Sequence, residues 1–223
     1  MDWLTYAQPL LLGARVTIEL TLYSTLLGGV FSFAFGIGRL SGHRPLRWLS
    51  IALIEVFRGT SLLVQLFWLF FALPVAGDLL GLDLRLSPIV TGTLALSLNI
   101  GAYGAEVVRG AIQAVPATQY EAAKALDFTP RQILWRIAIP QAVPEMMPSF
   151  GNLAVQNLKD TALVSLIGLG DLAFQAERIR NFTQDSVPIY TMLLLMYFGM
   201  ALVLTALMRL LERRAGRWRP RRT

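Results

Sequence analysis

Four stretches of this chain carry no charged residue over the length needed to cross a lipid bilayer: Leu20 to Gly38, Gly59 to Gly77, Leu86 to Ala105 and Ser186 to Met208. A hydrocarbon core of about 30 Å is crossed by about 20 apolar residues of helix, each rising about 1.5 Å. Runs of this length therefore specify membrane helices. Buried core helices of a water-soluble protein are disfavoured by the mean hydropathy of +0.55 and by a charged fraction of only 15%. The chain begins Met1-Asp2-Trp3 with no basic residue ahead of an apolar run too long for a cleaved signal, so that run reads as a retained span.

Arginine placement orients these runs. Arg39, Arg44 and Arg47, with no acid among them, follow the first run, whereas the next connection, Val75 to Leu86, holds Asp78, Asp83 and Arg85. Basic loops stay cytoplasmic, so the first loop faces inward and the N-terminus and the second connection face outward. Arg109, Lys124, Arg131 and Arg136, between Glu106 and Glu145, then lie inside. The tail carries Arg209, Arg213, Arg214, Arg217, Arg219, Arg221 and Arg222 and must also be cytoplasmic. Four crossings cannot satisfy both ends. A fifth is required, and Met146 to Gly170 is its one candidate, although Lys159 and Asp160 interrupt it. The expectation is an all-α, polytopic, single-domain membrane protein, N-terminus outside and C-terminus cytoplasmic. Its spans fall near 14–39, 50–74, 86–108, 146–170 and 186–208, with a cytoplasmic loop over 110–145 and a basic tail over 209–223.

A charge within hydrocarbon costs about 2.5 to 3.5 kcal/mol on insertion scales, so Lys159 and Asp160 mark a cavity, a partner or a solute pathway. As sequence neighbours they point about 100° apart around a helix and need separate partners. Asn99 and Gln65, neutral and deep within runs, suit either a pathway lining or interhelical hydrogen bonds. Glu55 with Arg58, and Glu106 with Arg109, stand three apart near cytoplasmic ends and read as structural ion pairs. Gly28, Gly29, Gly36, Gly38, Gly101 and Gly104 let helices approach closely in lipid. Arg15 and Glu19 belong near the outer interface.

Enzyme chemistry finds little purchase. Cysteine is absent and His43 is the one histidine, which leaves no thiolate or histidine metal site. A phosphate-binding Gly-x-x-x-x-Gly-Lys-Ser/Thr loop is also absent, because the two lysines, Lys124 and Lys159, follow Ala123 and Leu158. Neither a Gly-x-Ser-x-Gly elbow nor a His-Glu-x-x-His motif occurs. The tail arginines need no more than topology to explain them, and nucleic acid is not an expected partner, since Trp218 is the one aromatic residue beside them.

The inward loop is helical in pattern. Pro116 suits the first position of a short helix through Leu126, with Glu121 and Lys124 on one face and an end near Asp127 and Phe128. Thr129, Pro130 and Gln132 then form a capping box that opens a second helix. Pro140, Pro144 and Pro148, four apart, predict a bent and repeatedly interrupted approach to the fourth span.

Glu121-Ala122-Ala123, then Leu126, Gln132, Ile139-Pro140-Gln141-Ala142, Asn152 and Lys159-Asp160-Thr161, resemble the EAA loop and following span of binding-protein-dependent ABC importer permeases. Glu55-Val56-Phe57-Arg58-Gly59-Thr60-Ser61, with Gln65, is similar to the polar amino-acid branch, which serves histidine, glutamine, arginine and opines. The resemblance runs from Thr17 through the fourth span. It implies that Glu121, Ala122, Ala123, Leu126 and Asp127 couple to a cytoplasmic ATP-binding subunit, and it adds Asn152 and Thr161 to the candidate pathway residues. It further implies two ATP-binding subunits carrying ATP and Mg, a second permease identical or paralogous to this one, an external solute-binding protein, and a bacterial inner-membrane location. Two positions depart from the pattern. Asp127 stands where the family usually has Gly, and Ser61 where it commonly has Pro. An ATP-independent carrier and a non-transporting assembly subunit are the alternatives, and the solute, a polar amino acid or related zwitterion such as ectoine, is left open.

Overall fold

A computed structural model describes residues 3–215. The expectations placed on Arg217, Trp218, Arg219, Arg221 and Arg222 lie outside them. Among the described residues all regular structure is helical: α1 (Trp3–Leu40), α2 (Arg44–Gly59), α3 (Leu62–Phe67), α4 (Leu73–Leu79), α5 (Pro88–Gln113), α6 (Ala117–Ala125), α7 (Pro130–Ile133), α8 (Ile139–Asp160), α9 (Leu172–Thr183) and α10 (Ser186–Ala215). Five-residue π turns join α3 to α4 at Trp68–Ala72 and α7 to α8 at Leu134–Ala138. A 3₁₀ segment, Thr161–Ile167, extends α8.

The axis of the fold is the pairing of α1 with α5, which run parallel. Gly28 faces Ser97 and Ile100, Phe31 faces Gly101, Ser32 faces Gly104, and Gly36 faces Ala105 and Val108. Both helices rise together through these contacts. Close approach requires small residues and hydroxyls that are satisfied at home. Thr21, Ser24 and Ser32 each donate at 2.7 Å to the carbonyl four residues back on α1. These α1 hydroxyls are thus satisfied, whereas Thr91 Oγ1 on α5 is buried with no hydrogen-bond partner among the described residues. Helix α8 runs the other way, with Asn157 Nδ2 donating to Ser24 Oγ at 2.7 Å and Thr25 Oγ1 at 2.9 Å, and Phe150 stacked on Phe33 nearer the C-terminal end of α1. Helix α10 returns parallel to α1, from Ile189 beside Leu10 to Met208 beside Gly151.

Three apolar clusters stack along this axis. Leu10, Ala14, Leu172, Ala176, Ile179 and Ile189 pack at one end. Leu20, Leu66, Ala95, Leu96, Val164 and Ile167 fill the middle. Val108, Ile112, Val115, Ala138, Ala142 and Met146 close the other end. By length and composition three helices can cross a membrane: Tyr6–Leu40, Leu62–Leu79 and Ser186–Arg214. Helices α5 and α8 carry more small and polar residues.

Several boundaries differ from the sequence reading. The run expected over 50–74 is broken, because Thr60 (φ −118°, ψ 156°) and Ser61 (φ −70°, ψ 137°) are extended and divide α2 from α3. The segment expected over 146–170 is α-helical only to Asp160, so Lys159 and Asp160 end a helix instead of lying mid-helix. Pro140, Pro144 and Pro148 do not interrupt α8. The irregularity is gathered upstream in the π turn, where Ile139 N–H reaches back five residues to Leu134 O. Helix α9 was not anticipated. It starts at Asp171, whose carboxylate accepts from Ala173 and Phe174 N–H.

The seam is testable by contrast. A Cβ at Gly104 would collide with the Ser32 side chain, lying 2.8 Å from its Cβ, whereas one at Gly29 meets nothing within 4 Å. Gly104→Val is expected to cost about 1 to 3 kcal/mol of stability as overpacking, and Gly29→Ala none. Thermal unfolding in detergent checks this, and equal midpoints for both variants would dismiss the seam as the axis.

Candidate functional site

Two places on this scaffold concentrate polar chemistry on an otherwise apolar molecule: the elbow made by α6 and α7, and the exposed side of α8.

The elbow is anchored from beneath. Tyr120 Oη donates to Ile112 O at 2.9 Å, fixing α6 to the end of α5, and partial burial pushes the phenol above its ordinary pKa. Ala123, three residues on, is 1% exposed. The exposed surface of the elbow is therefore Glu121, Ala122, Lys124 and Ala125 with Leu126, which is 70% exposed. Ala123, expected among the coupling residues, turns its side chain to the protein, and its carbonyl is occupied by the turn. Pro116 is the N-cap rather than the first helical residue. At the other end of α6, Phe128 N–H bonds Ala123 O at 3.1 Å and Asp127 N–H bonds Lys124 O at 3.0 Å, the two bonds of a Schellman turn. Its pivotal residue, Asp127, sits at φ 57°, where glycine is at ease and an L-residue with a Cβ is not. Thr129 then caps α7 in the expected box: its N–H donates to Gln132 Oε1 at 2.8 Å and its hydroxyl accepts from Gln132 N–H.

From this elbow α7, the π turn and α8 form one continuous helical rod to Asp160. Along the rod Gln141, Pro148, Asn152, Gln156 and Lys159 are exposed, as is Glu145. The steps of three and four residues place them on a single stripe. Asp160 beside the stripe accepts from Gln156 Nε2 at 2.8 Å. Lys159 lies in the last turn, where a cation complements the helix dipole. Asn157, bonded to Ser24 and Thr25, sets the charged pair near the midpoint of α1. Thr161 is fully buried and donates to Leu158 O, so it does not join the exposed stripe.

Gln65 and Asn99 are brought together, but not in that stripe. Gln65 Nε2 donates to Phe57 O at 2.9 Å and to Thr60 Oγ1 at 2.9 Å, while Asn99 Nδ2 reaches Phe57 O and Gln65 Oε1 at 3.3 Å. These amides clasp the α2–α3 break and tie it to α5. Nearby, Arg58 lies over the Tyr103 ring, 5.5 Å from its centroid, and forms no ion pair with Glu55. The three-residue spacing allowed that pair, yet the aromatic face of α5 takes the guanidinium instead. Glu106 does pair with Arg109, at 2.9 Å, and also with Arg39 at the end of α1. The sequence reading found the first partner and missed the second. Asp171, Gln156 and Asn157 were also missed, although Asp171 carries a legible signal, an acid after Gly170 at the start of a helical pattern.

Residues 28–217 match the family described as binding-protein-dependent transport system inner membrane component. The chain is similar to a probable amino-acid ABC transporter permease protein, y4tF, of Sinorhizobium fredii, at 67% identity over 100% of this chain and 93% of that one. It is 32% identical to the glutamine transport system permease protein GlnP of Escherichia coli, covering 96% and 97% of the two chains. Among solved structures, an amino acid ABC transporter crystallised with histidines aligns with TM-score 0.85 at 33% identity, over 96% of this chain and 99% of that one. The MetNI methionine ABC transporter shares the fold, with TM-score 0.80 at 18% identity over 97% and 100%.

The backbone at Asp127 yields a prediction. Asp127→Gly is expected to stabilise the elbow by up to about 1 kcal/mol, and Asp127→Val to destabilise it by about 1 to 2 kcal/mol. Limited proteolysis of the loop reads both, and faster cleavage of the glycine variant than of wild type would contradict the turn described.

Proposed function

The chain belongs to the family of binding-protein-dependent transport system inner membrane components, and from its geometry we propose that the stripe of α8 is the wall of its solute pathway. It is a membrane permease subunit of an amino-acid ABC importer. Family membership implies an ATP-binding partner and a substrate-binding partner, and it disfavours the autonomous carrier and the assembly subunit.

The observation that carries the pathway reading is the continuity of one rod. Its inner end, α7, follows directly on the elbow turn after Glu121, Ala122, Leu126 and Asp127, and its far end at mid-depth bears Lys159 and Asp160. A displacement imposed on α6 reaches the rod through the hydrogen-bonded turn at Asp127 and the Gln119–Gln141 contact, and from α7 it passes along α8 without a further break. Helices α1, α5 and α10 running one way, with α8 and the broken α2–α4 rod between them, support five crossings. In that arrangement Asn152, Gln156 and Lys159, the part of the exposed stripe within the span, would otherwise face hydrocarbon, at a cost of several kcal/mol. A second permease, identical or paralogous, supplies the opposing wall. Two ATP-binding subunits, which hold the ATP and Mg, dock on the two elbows, and an external binding protein delivers a polar amino acid or related zwitterion. The bacterial inner membrane is the location this assembly requires. Lys159, Asp160 and Asn152 are the residues we place on the pathway. Gln65 and Asn99 are given to the helix clasp, and Thr161 to the buried turn that ends α8.

Two experiments test this. Mass spectrometry of proteins that co-purify with the tagged chain should recover an ATP-binding subunit with wild type and lose it with Glu121→Arg; recovery with both would remove the elbow as the docking site. Lys159→Leu should leave membrane insertion intact while reducing ATP-driven uptake at least tenfold, and wild-type uptake in that variant would take Lys159 off the pathway.

A further inference from the structure

Most of α2 has little packed on it. Ser50 and Ile54 are its buried residues, and Ser50 sits against Gly38 of α1, where a side chain would displace it. The outward surface carries Leu46, Trp48, Leu49 and Val56, with Trp48 65% exposed. Charge gathers at the N-terminal end. Arg44 and Arg47 are exposed there next to His43, and no acid occurs from Gly38 to Ile54. Arg44 stands three residues from Arg47 and four from Trp48, so the three side chains share one patch. The Glu106 carboxylate is already held by Arg39 and Arg109, and neither Arg44 nor Arg47 has an ion-pair partner among the described residues.

We infer that this patch binds the headgroup of an anionic phospholipid, with Arg44 and Arg47 on its phosphate and Trp48, Leu46 and Leu49 along the ester and upper acyl region. Guanidinium groups match phosphate oxygens in paired hydrogen bonds, and tryptophan favours the boundary where one end of the ring is wet and the other apolar. The order along α2 is that of a leaflet. Arginines occupy the first turn, Trp48 follows, and exposed Leu49 and Val56 continue away from the basic end. A protein partner is the less suited occupant, because charge and large apolar groups are segregated along the helix axis rather than set as a core within a rim. The inference rests on the membrane reading of the fold given above and not on the docking of ATP-binding subunits.

The test is native mass spectrometry of the detergent-purified importer, titrated with dioleoylphosphatidylglycerol or dioleoylphosphatidylcholine. Wild type is expected to retain phosphatidylglycerol in preference to phosphatidylcholine. Arg44→Gln with Arg47→Gln should lower that retention at least about tenfold, and Arg44→Gln alone about fivefold, with helical content unchanged. Arg213→Gln with Arg214→Gln removes the same charge elsewhere and should change it little. Equal retention of both lipids by wild type, or equal loss in both double variants, would overturn the site. Loss of a co-purifying subunit from the Arg44 and Arg47 variant with lipid retention unchanged would do so as well, and would give the patch to a protein. Failure of the Glu121→Arg experiment leaves these outcomes unaffected, so the two readings fail separately.

Discussion

Inside a bilayer no water is at hand to satisfy a backbone group that leaves its helix, and this one restriction shapes the irregularities within the spans. Where α2 stops at Gly59, the freed carbonyls of Phe57 and Thr60 are taken by Gln65, with Asn99 reaching Phe57 from α5. The hydroxyls that allow α1 and α5 to touch bond their own helix. Where α8 stops at Asp160, a 3₁₀ turn continues the hydrogen bonding until Gly168, at φ 80°, releases the chain. Polar residues in this protein therefore divide into two populations. One repairs the backbone and faces inward, whereas the other, along α8, repairs nothing and faces outward.

That division is what sets the proposed pathway residues apart from the other polar groups. Gln65 and Asn99 resemble pathway residues by type and depth, yet each is committed to a carbonyl or to the other. Asn152, Gln156 and Lys159 are equally polar and remain open on the surface. The elbow shows a parallel division within the seven residues from Tyr120 to Leu126. Tyr120 and Ala123 are turned to the protein, and Glu121, Ala122 and Leu126 are left exposed.

How far the sequence could be read depended on whether a residue's partner is local. The Thr129 capping box and the left-handed turn at Asp127 are written within a few residues and were anticipated with their geometry. The alternation of directions followed from arginine bookkeeping, which is a property of whole loops. The α2–α3 break was hidden because Gly59-Thr60-Ser61 lies within an unbroken apolar run, and hydropathy does not register backbone angles. The second partner of Glu106 was hidden because Arg39 stands 67 residues away on a helix whose register against α5 is set by glycines. Spacing alone likewise offered Glu55 to Arg58, when the decisive neighbour, Tyr103, is on another helix.

The π turn at Leu134–Ala138 has a consequence for how such rods evolve. One residue inserted into a helix rotates everything beyond it by about 100° without breaking the rod. The elbow and the stripe of α8 are thereby phased independently of their own sequences, in the manner of two cams keyed to one shaft. Sliding or losing that single extra residue re-aims the pathway side chains relative to the docking surface while leaving the composition of each unchanged. Lineages built on this rod thus possess a dial for retuning transmission that comparison of aligned side chains, position by position, would not reveal.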